Sequence, residues 1–96
     1  MMNTNEVLQR YAEGQRNFRS QALKGLSLVK ADLSGVDFTE ANLSGADLSH
    51  ADLSYANFNW TTLRGANLGG TNLLGSKMPD GNIHNDYLAS ANHIGV

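Results

Sequence analysis

Large apolar side chains recur at every fifth residue through most of this 96-residue chain. They stand at Phe18, Leu23, Leu28, Leu33, Phe38, Leu43, Leu48, Leu53, Phe58, Leu63, Leu68, Leu73, Met78, Ile83 and Leu88, without an interruption. Two residues before each, the side chain is usually small, as at Ala31, Val36, Ala41, Ala46, Ala51, Ala56, Thr61, Ala66, Thr71 and Ser76. Asp or Asn commonly lies between the two, and Ser and Gly tend to follow. A period of five suits neither regular structure. On an α-helix, five residues advance about 500° and scatter the leucines around the axis. On a flat strand, an odd period sends successive leucines to opposite faces. All fifteen positions point inward only if the chain turns by the same angle every five residues and winds a solenoid around a narrow core.

The number of sides follows from the bulkiest residues. Phe18, Phe38 and Phe58 are twenty apart, with Met78 next. Like stacks on like in a coil of four five-residue sides. The other columns are then Leu23/Leu43/Leu63/Ile83, Leu28/Leu48/Leu68/Leu88 and Leu33/Leu53/Leu73. At a sheet spacing of ~4.8 Å, nearly four coils make a prism ~18 Å long. The expected class is an all-β solenoid, a four-sided parallel β-helix. Composition fits this reading and little else. Leu, Ile, Val and Phe number only 22, too few for a thick globule but enough for a prism one leucine deep on each side. Asn and Gly together number 21 and read as residues that turn the chain.

The run ADLSG, ANLSG, ADLSH, ADLSY, ANFNW and ANLGG (residues 31–60 and 66–70) resembles the pentapeptide-repeat family, whose motif is A(D/N)LXX. The resemblance spans about residues 16–90. It implies a right-handed quadrilateral β-helix. The flanks EVLQRYAEGQRNF (6–18) and MPDGNIH (78–84) are similar to sequences beside such repeats in cyanobacterial members. Departures gather at both ends: Leu26 replaces the small residue, Lys77 and Tyr87 replace Asp or Asn, and His93 stands where a leucine is expected.

An open coil exposes apolar columns and unpaired backbone, so the ends need covers. Asn3 or Thr4 suits a helix N-cap, Val7, Leu8 and Tyr11 share a face, and Gly14 is a stop. Residues 4–13 are therefore expected to form a short α-helix over the first coil, within a capping segment of residues 1–15. The repeats then occupy 16–90 and a tail 91–96. At the far end, Pro79 and Gly81 suit a turn, and Leu88, Ile94 and Val96 belong to an irregular segment. That segment is expected to fold back as a lid, with a homodimer through the C-terminal end as the alternative.

Catalytic chemistry is missing from the pattern. With no cysteine there is no disulfide, thiolate metal site or Cys nucleophile. His50 falls at an outward corner, and His84 and His93 near Asp80 and Asp86 match no ligand spacing. Ser34, Ser44, Ser49 and Ser54 recur because the repeat calls for a small polar residue there, and a convex rod offers no concave pocket. The expectation is a non-enzyme with no cofactor and no metal. No apolar run reaches the ~18 residues of a membrane span, and Met1–Arg10 is too polar for a signal peptide, so a soluble cytoplasmic chain without membrane contact is expected.

Charge and the outward exceptions remain. Arg10, Arg16, Arg19, Lys24 and Lys30 face only Glu13 within residues 10–30, whereas Asp32, Asp37, Glu40, Asp47 and Asp52 fill residues 31–60 with no base. The five acidic residues form a candidate acidic face. Some members of the family resemble duplex DNA and bind DNA gyrase in its place. A prism of ~18 Å spans only about five base pairs, so that role would require an end-to-end dimer. Basic residues without aromatic readers argue against direct nucleic-acid binding. Tyr55 and Trp60 fall at outward corners, Leu74 lies one coil beyond Ser54 beside Tyr55, and Arg64 follows within reach of Trp60. These four form a candidate surface for an unknown protein partner. The expected function is a non-enzymatic interaction or scaffold module, with the gyrase-binding DNA mimic as the alternative.

Overall fold

Backbone pairing repeats every twenty residues. A computed structural model of the chain describes residues 1–79. Nine parallel bridges in this span each join a residue to the one twenty later, from Asn17–Asp37 to Asn57–Lys77. Four consecutive five-residue sides therefore close one coil. Each side contributes hydrogen bonds in both directions: Leu28 N–H donates to Asp47 C=O at 2.7 Å, and Asp47 N–H donates to Leu26 C=O at 2.9 Å.

Corners separate the sides, and their construction is uniform. The carbonyl of each large apolar residue from Leu23 to Leu73 accepts the N–H three residues later, as in Ala46 to Leu43 at 3.0 Å. The third residue of every turn has a positive φ, from 59° to 73°, at twelve consecutive corners between residues 20 and 75. A hydrogen-bonded turn with positive φ only at its third residue is type II. Asp or Asn supports it from one residue before the turn. Its Oδ1 accepts the N–H two residues on, from Asn17 to Asn72, and at Asn42, Asp47 and Asp52 it also accepts the Ser hydroxyl at 2.7 Å. No Asn occupies a left-handed corner among the described residues; Asn works through its side-chain acceptor instead.

The interior is four columns of stacked side chains, one from each side of the coil. Phe18, Leu33, Phe38, Leu43, Leu48, Leu53, Phe58, Leu63, Leu68 and Leu73 are wholly or almost wholly buried, and Met78 nearly so. Phe18, Phe38 and Phe58 stack with ring centroids 6.2 and 5.9 Å apart. The small inward positions fill the gaps. Where they are polar they are bonded: Thr61 Oγ1 donates to Phe38 C=O at 2.7 Å and Thr71 Oγ1 to Leu48 C=O at 2.8 Å.

A helix, α1 (Thr4–Ala12), lies against the first coil. Asn3 caps it, accepting from Glu6 N–H at 2.8 Å while Glu6 reaches back to Asn3 N–H. Val7 is fully buried and Met2 nearly so. Two hydroxyls from α1 occupy backbone acceptors of the first coil: Thr4 Oγ1 donates to Ser27 C=O at 3.0 Å and Tyr11 OH to Ser34 C=O at 2.6 Å. One coil later the equivalent carbonyls, Asp47 and Ser54, receive backbone N–H groups from Leu28 and Gly35. The helix side chains thus stand in for a coil that is not there. The C-terminal lid, the homodimer contact, the 91–96 tail and residues His84, His93, Leu88, Ile94 and Val96 lie outside the described residues.

Candidate functional site

Stacking in steps of twenty sorts the twelve corners into four edges. One is all glycine: Gly25, Gly45 and Gly65. A second holds Lys30, His50 and Gly70, and a third Gly35, Tyr55 and Gly75. The fourth, Ser20, Glu40 and Trp60, has no glycine among the described residues. Left-handed backbone costs an ordinary side chain about 1–2 kcal/mol, so the composition of each edge is an energetic choice.

Tyr55 and Trp60 stand on the third and fourth edges of the same coil, at φ 60° in both cases. They are also the most exposed aromatic residues of the described chain, at 67% and 74%. Tyr55 is anchored by its N–H to Leu74 C=O at 2.8 Å. Its ring lies along the edge over Gly75, where an added Cβ would sit 2.5 Å from Cδ1 and Cε1. His50 lies over Gly70 in the same way, with Nδ1 2.5 Å from such a Cβ. A bulky corner residue is thus matched by a glycine in the next coil. The sequence reading assigned no partner role to His50, and its ring belongs to the same row of exposed rings. The twenty-residue register together with a bare glycine at 70 is the signal that finds it.

The other candidate residues are placed differently from expectation. Leu74 is half-buried. Arg64 is exposed, but among the described residues the arginine that sits over a ring is Arg16, 3.6 Å from the centroid of Tyr11. Arg16 also donates to Tyr11 C=O at 2.9 Å, which fixes it beside α1. Asp32, Asp37, Glu40, Asp47 and Asp52 do not share one face. The bridge columns put Asp32 and Asp52 on one side, Asp37 on the next and Asp47 on a third, with Glu40 at a corner. Five-residue spacing makes this unavoidable, because each step of five moves to a new side.

Electrostatics divides these carboxylates further. Asp37 faces Arg19 at 3.5 Å and accepts the Thr39 N–H and hydroxyl. Asp47 titrates below the ordinary carboxylate range because the Ser49 hydroxyl and N–H donate to it, with a smaller contribution from the nearby His50. Glu40 is exposed and makes no ion pair among the described residues. No group of three or more His, Asp or Glu among the described residues could hold a metal ion. Glu6, Gln9, Arg10, Glu13 and Gln15 line a shallow polar groove along α1, where Arg10 pairs with Glu6 at 3.6 Å. No helix of the described chain is long and apolar enough to cross a membrane.

Comparison with known proteins agrees with the repeat. A family model described as pentapeptide repeats, in eight copies, matches residues 17–54 and 56–85. Among solved structures, the chain is similar to HetL, a pentapeptide repeat protein involved in heterocyst differentiation regulation from the cyanobacterium Nostoc sp. strain PCC 7120. That match has 37% identity over 79% of this chain and a TM-score of 0.48. The chain spans only 30% of HetL's length. It is also similar to alr5209, a pentapeptide repeat protein from Nostoc, at 29% identity over 77% of this chain and 78% of that one, with a TM-score of 0.48. A search of curated proteins gave no match.

Proposed function

The chain belongs to the pentapeptide-repeat family of right-handed β-helices, and from that premise we propose that it is a non-enzymatic protein-interaction module whose partner binds the edges carrying Tyr55 and Trp60. The division into a cap over residues 1–15, coils over 16–90 and a tail over 91–96 is part of the same proposal, with α1 closing the first coil. One observation carries the reading: two large aromatics occupy left-handed corners while remaining two-thirds or more exposed. At such corners glycine is the cheaper residue, and exposed rings recover little from burial. Backbone strain borne by exposed side chains points to a use outside the folded chain. Tyr and Trp are also the residue types most enriched where protein partners bind tightly.

Affinity capture from host lysate tests this. The Tyr55→Ser/Trp60→Ser double variant is expected to lose the partners that the wild-type chain retains. Lys24→Ala, beside the all-glycine edge, is expected to keep them. Capture of the same set by the double variant would sink the proposal. The gyrase-directed DNA mimic draws less support, since the carboxylates are spread over three sides and the described body measures only 28 Å in its longest dimension. A supercoiling assay without inhibition at high protein excess would remove it.

A further inference from the structure

Among the described residues, one edge carries no glycine: Ser20, Glu40 and Trp60. We propose that Glu40 and Trp60 together receive an arginine side chain presented by a partner protein; this rests on the interaction reading above and names what that surface selects. Glu40 N–H donates to Asn59 C=O at 3.0 Å, so the Glu40 turn lies directly against the Trp60 turn, one coil apart on the same edge. Both residues hold left-handed backbone, at φ 62° and 60°, and both are exposed. A planar guanidinium is the group that satisfies the two at once. Its face stacks on an indole, and its N–H fork donates to a carboxylate.

Charge around the edge favours the same occupant. Residues 31–60 contain five carboxylates and no Lys or Arg. Arg19 is already engaged by Asp37. Lys77 stands one coil above Asn57, on the side between Tyr55 and Trp60. A cation is therefore repelled from that coil and drawn to the Glu40 side of the indole. Tyr55 supplies a second ring on the neighbouring edge, against which the rest of a partner segment can pack. A nucleic acid would meet the carboxylates with its phosphates, which excludes it on the same argument.

Trp60 is the sole tryptophan, so its fluorescence reads this site directly. The wild-type chain is titrated with blocked tetra-arginine, tetra-lysine and tetra-glutamate peptides at low salt. A saturable change is expected with tetra-arginine, a weaker one with tetra-lysine and none with tetra-glutamate. Glu40→Gln is expected to weaken tetra-arginine binding about tenfold. Roughly 1 M salt, with a Debye length near 3 Å, is expected to abolish most of it. Absence of a saturable arginine response, or equal binding by Glu40→Gln, overturns the proposal. So does a concentration-dependent Trp60 change without peptide that disappears in Glu40→Gln, because the occupant is then a second copy. Failure here is separable from failure of the broader reading. Host partners that are lost by the Tyr55/Trp60 double variant but kept by Glu40→Gln leave the interaction surface standing and remove its arginine selectivity.

Discussion

The edge Gly25–Gly45–Gly65 and the edge Ser20–Glu40–Trp60 are built from the same type II turn and belong to the same coils, yet they carry opposite surfaces. On the first edge an added Cβ at Gly25 or Gly45 would meet nothing within 4 Å, so space does not dictate glycine there; only the positive φ does. On the second, the same φ is imposed on a hydroxyl, a carboxylate and an indole. The difference separates two demands on one prism. The glycine edge shows what the turn prefers when nothing else is asked of it. At Glu40 and Trp60 the chain departs from that preference, and both side chains are exposed.

Substitutions can break this comparison, beginning with the largest effect. Gly75→Ala is expected to lower stability by about 2 kcal/mol, because the new methyl adds to the left-handed cost and displaces the Tyr55 ring. Gly25→Ala, with open space, is expected to lose only about 1 kcal/mol. Adding Tyr55→Ala to Gly75→Ala is expected to recover the difference, as a coupled pair should. Denaturant midpoints measure all three, and equal losses at Gly75 and Gly25 would show that the ring does not matter to the corner.

Trp60→Gly carries the comparison the other way. The indole is exposed, so little burial is lost and up to about 1 kcal/mol is gained by relieving the corner. Thermal melting should show an unchanged or higher midpoint while partner capture is lost. A clear fall in the midpoint would instead make Trp60 a structural cover of the edge. The smallest effect lies at Asp47. Its folded pKa is depressed below the ordinary 3.8, so its contribution to stability is present above that value and is lost as pH falls through the folded pKa. Asp47→Asn should flatten this part of the acid-unfolding curve while keeping the turn, since Asn57, Asn67 and Asn72 accept the same N–H elsewhere. An unchanged acid limb would place the pH dependence on other carboxylates.

Much of the fold was legible because a repeat makes long-range contacts look local. Phe18, Phe38 and Phe58 announce a twenty-residue coil, and their rings stack at that interval. The same register places Gly75 one coil beyond Tyr55. The candidate site was legible only in part. Arg64 looked available to Trp60, but the ring-bound arginine is Arg16, held on Tyr11 by a helix whose placement no five-residue period describes. The acidic run looked like a face because a block of sequence suggests proximity, whereas each five residues carry the chain around a corner.

The sequence alone determined the phase of the repeat, the identity of the core side chains and their columns, because in a solenoid one register fixes every inward neighbour. The tertiary structure decided how the corners meet their load: the His50 and Tyr55 rings laid along their edges rather than turned outward, and Glu40 set against the Trp60 turn. Those features depend on the sign of φ and on contacts between residues twenty apart. Spacing says which corners stack but not how a side chain lies on its neighbour, and the same turn accepts a glycine or a tryptophan at a difference of only about 1 kcal/mol.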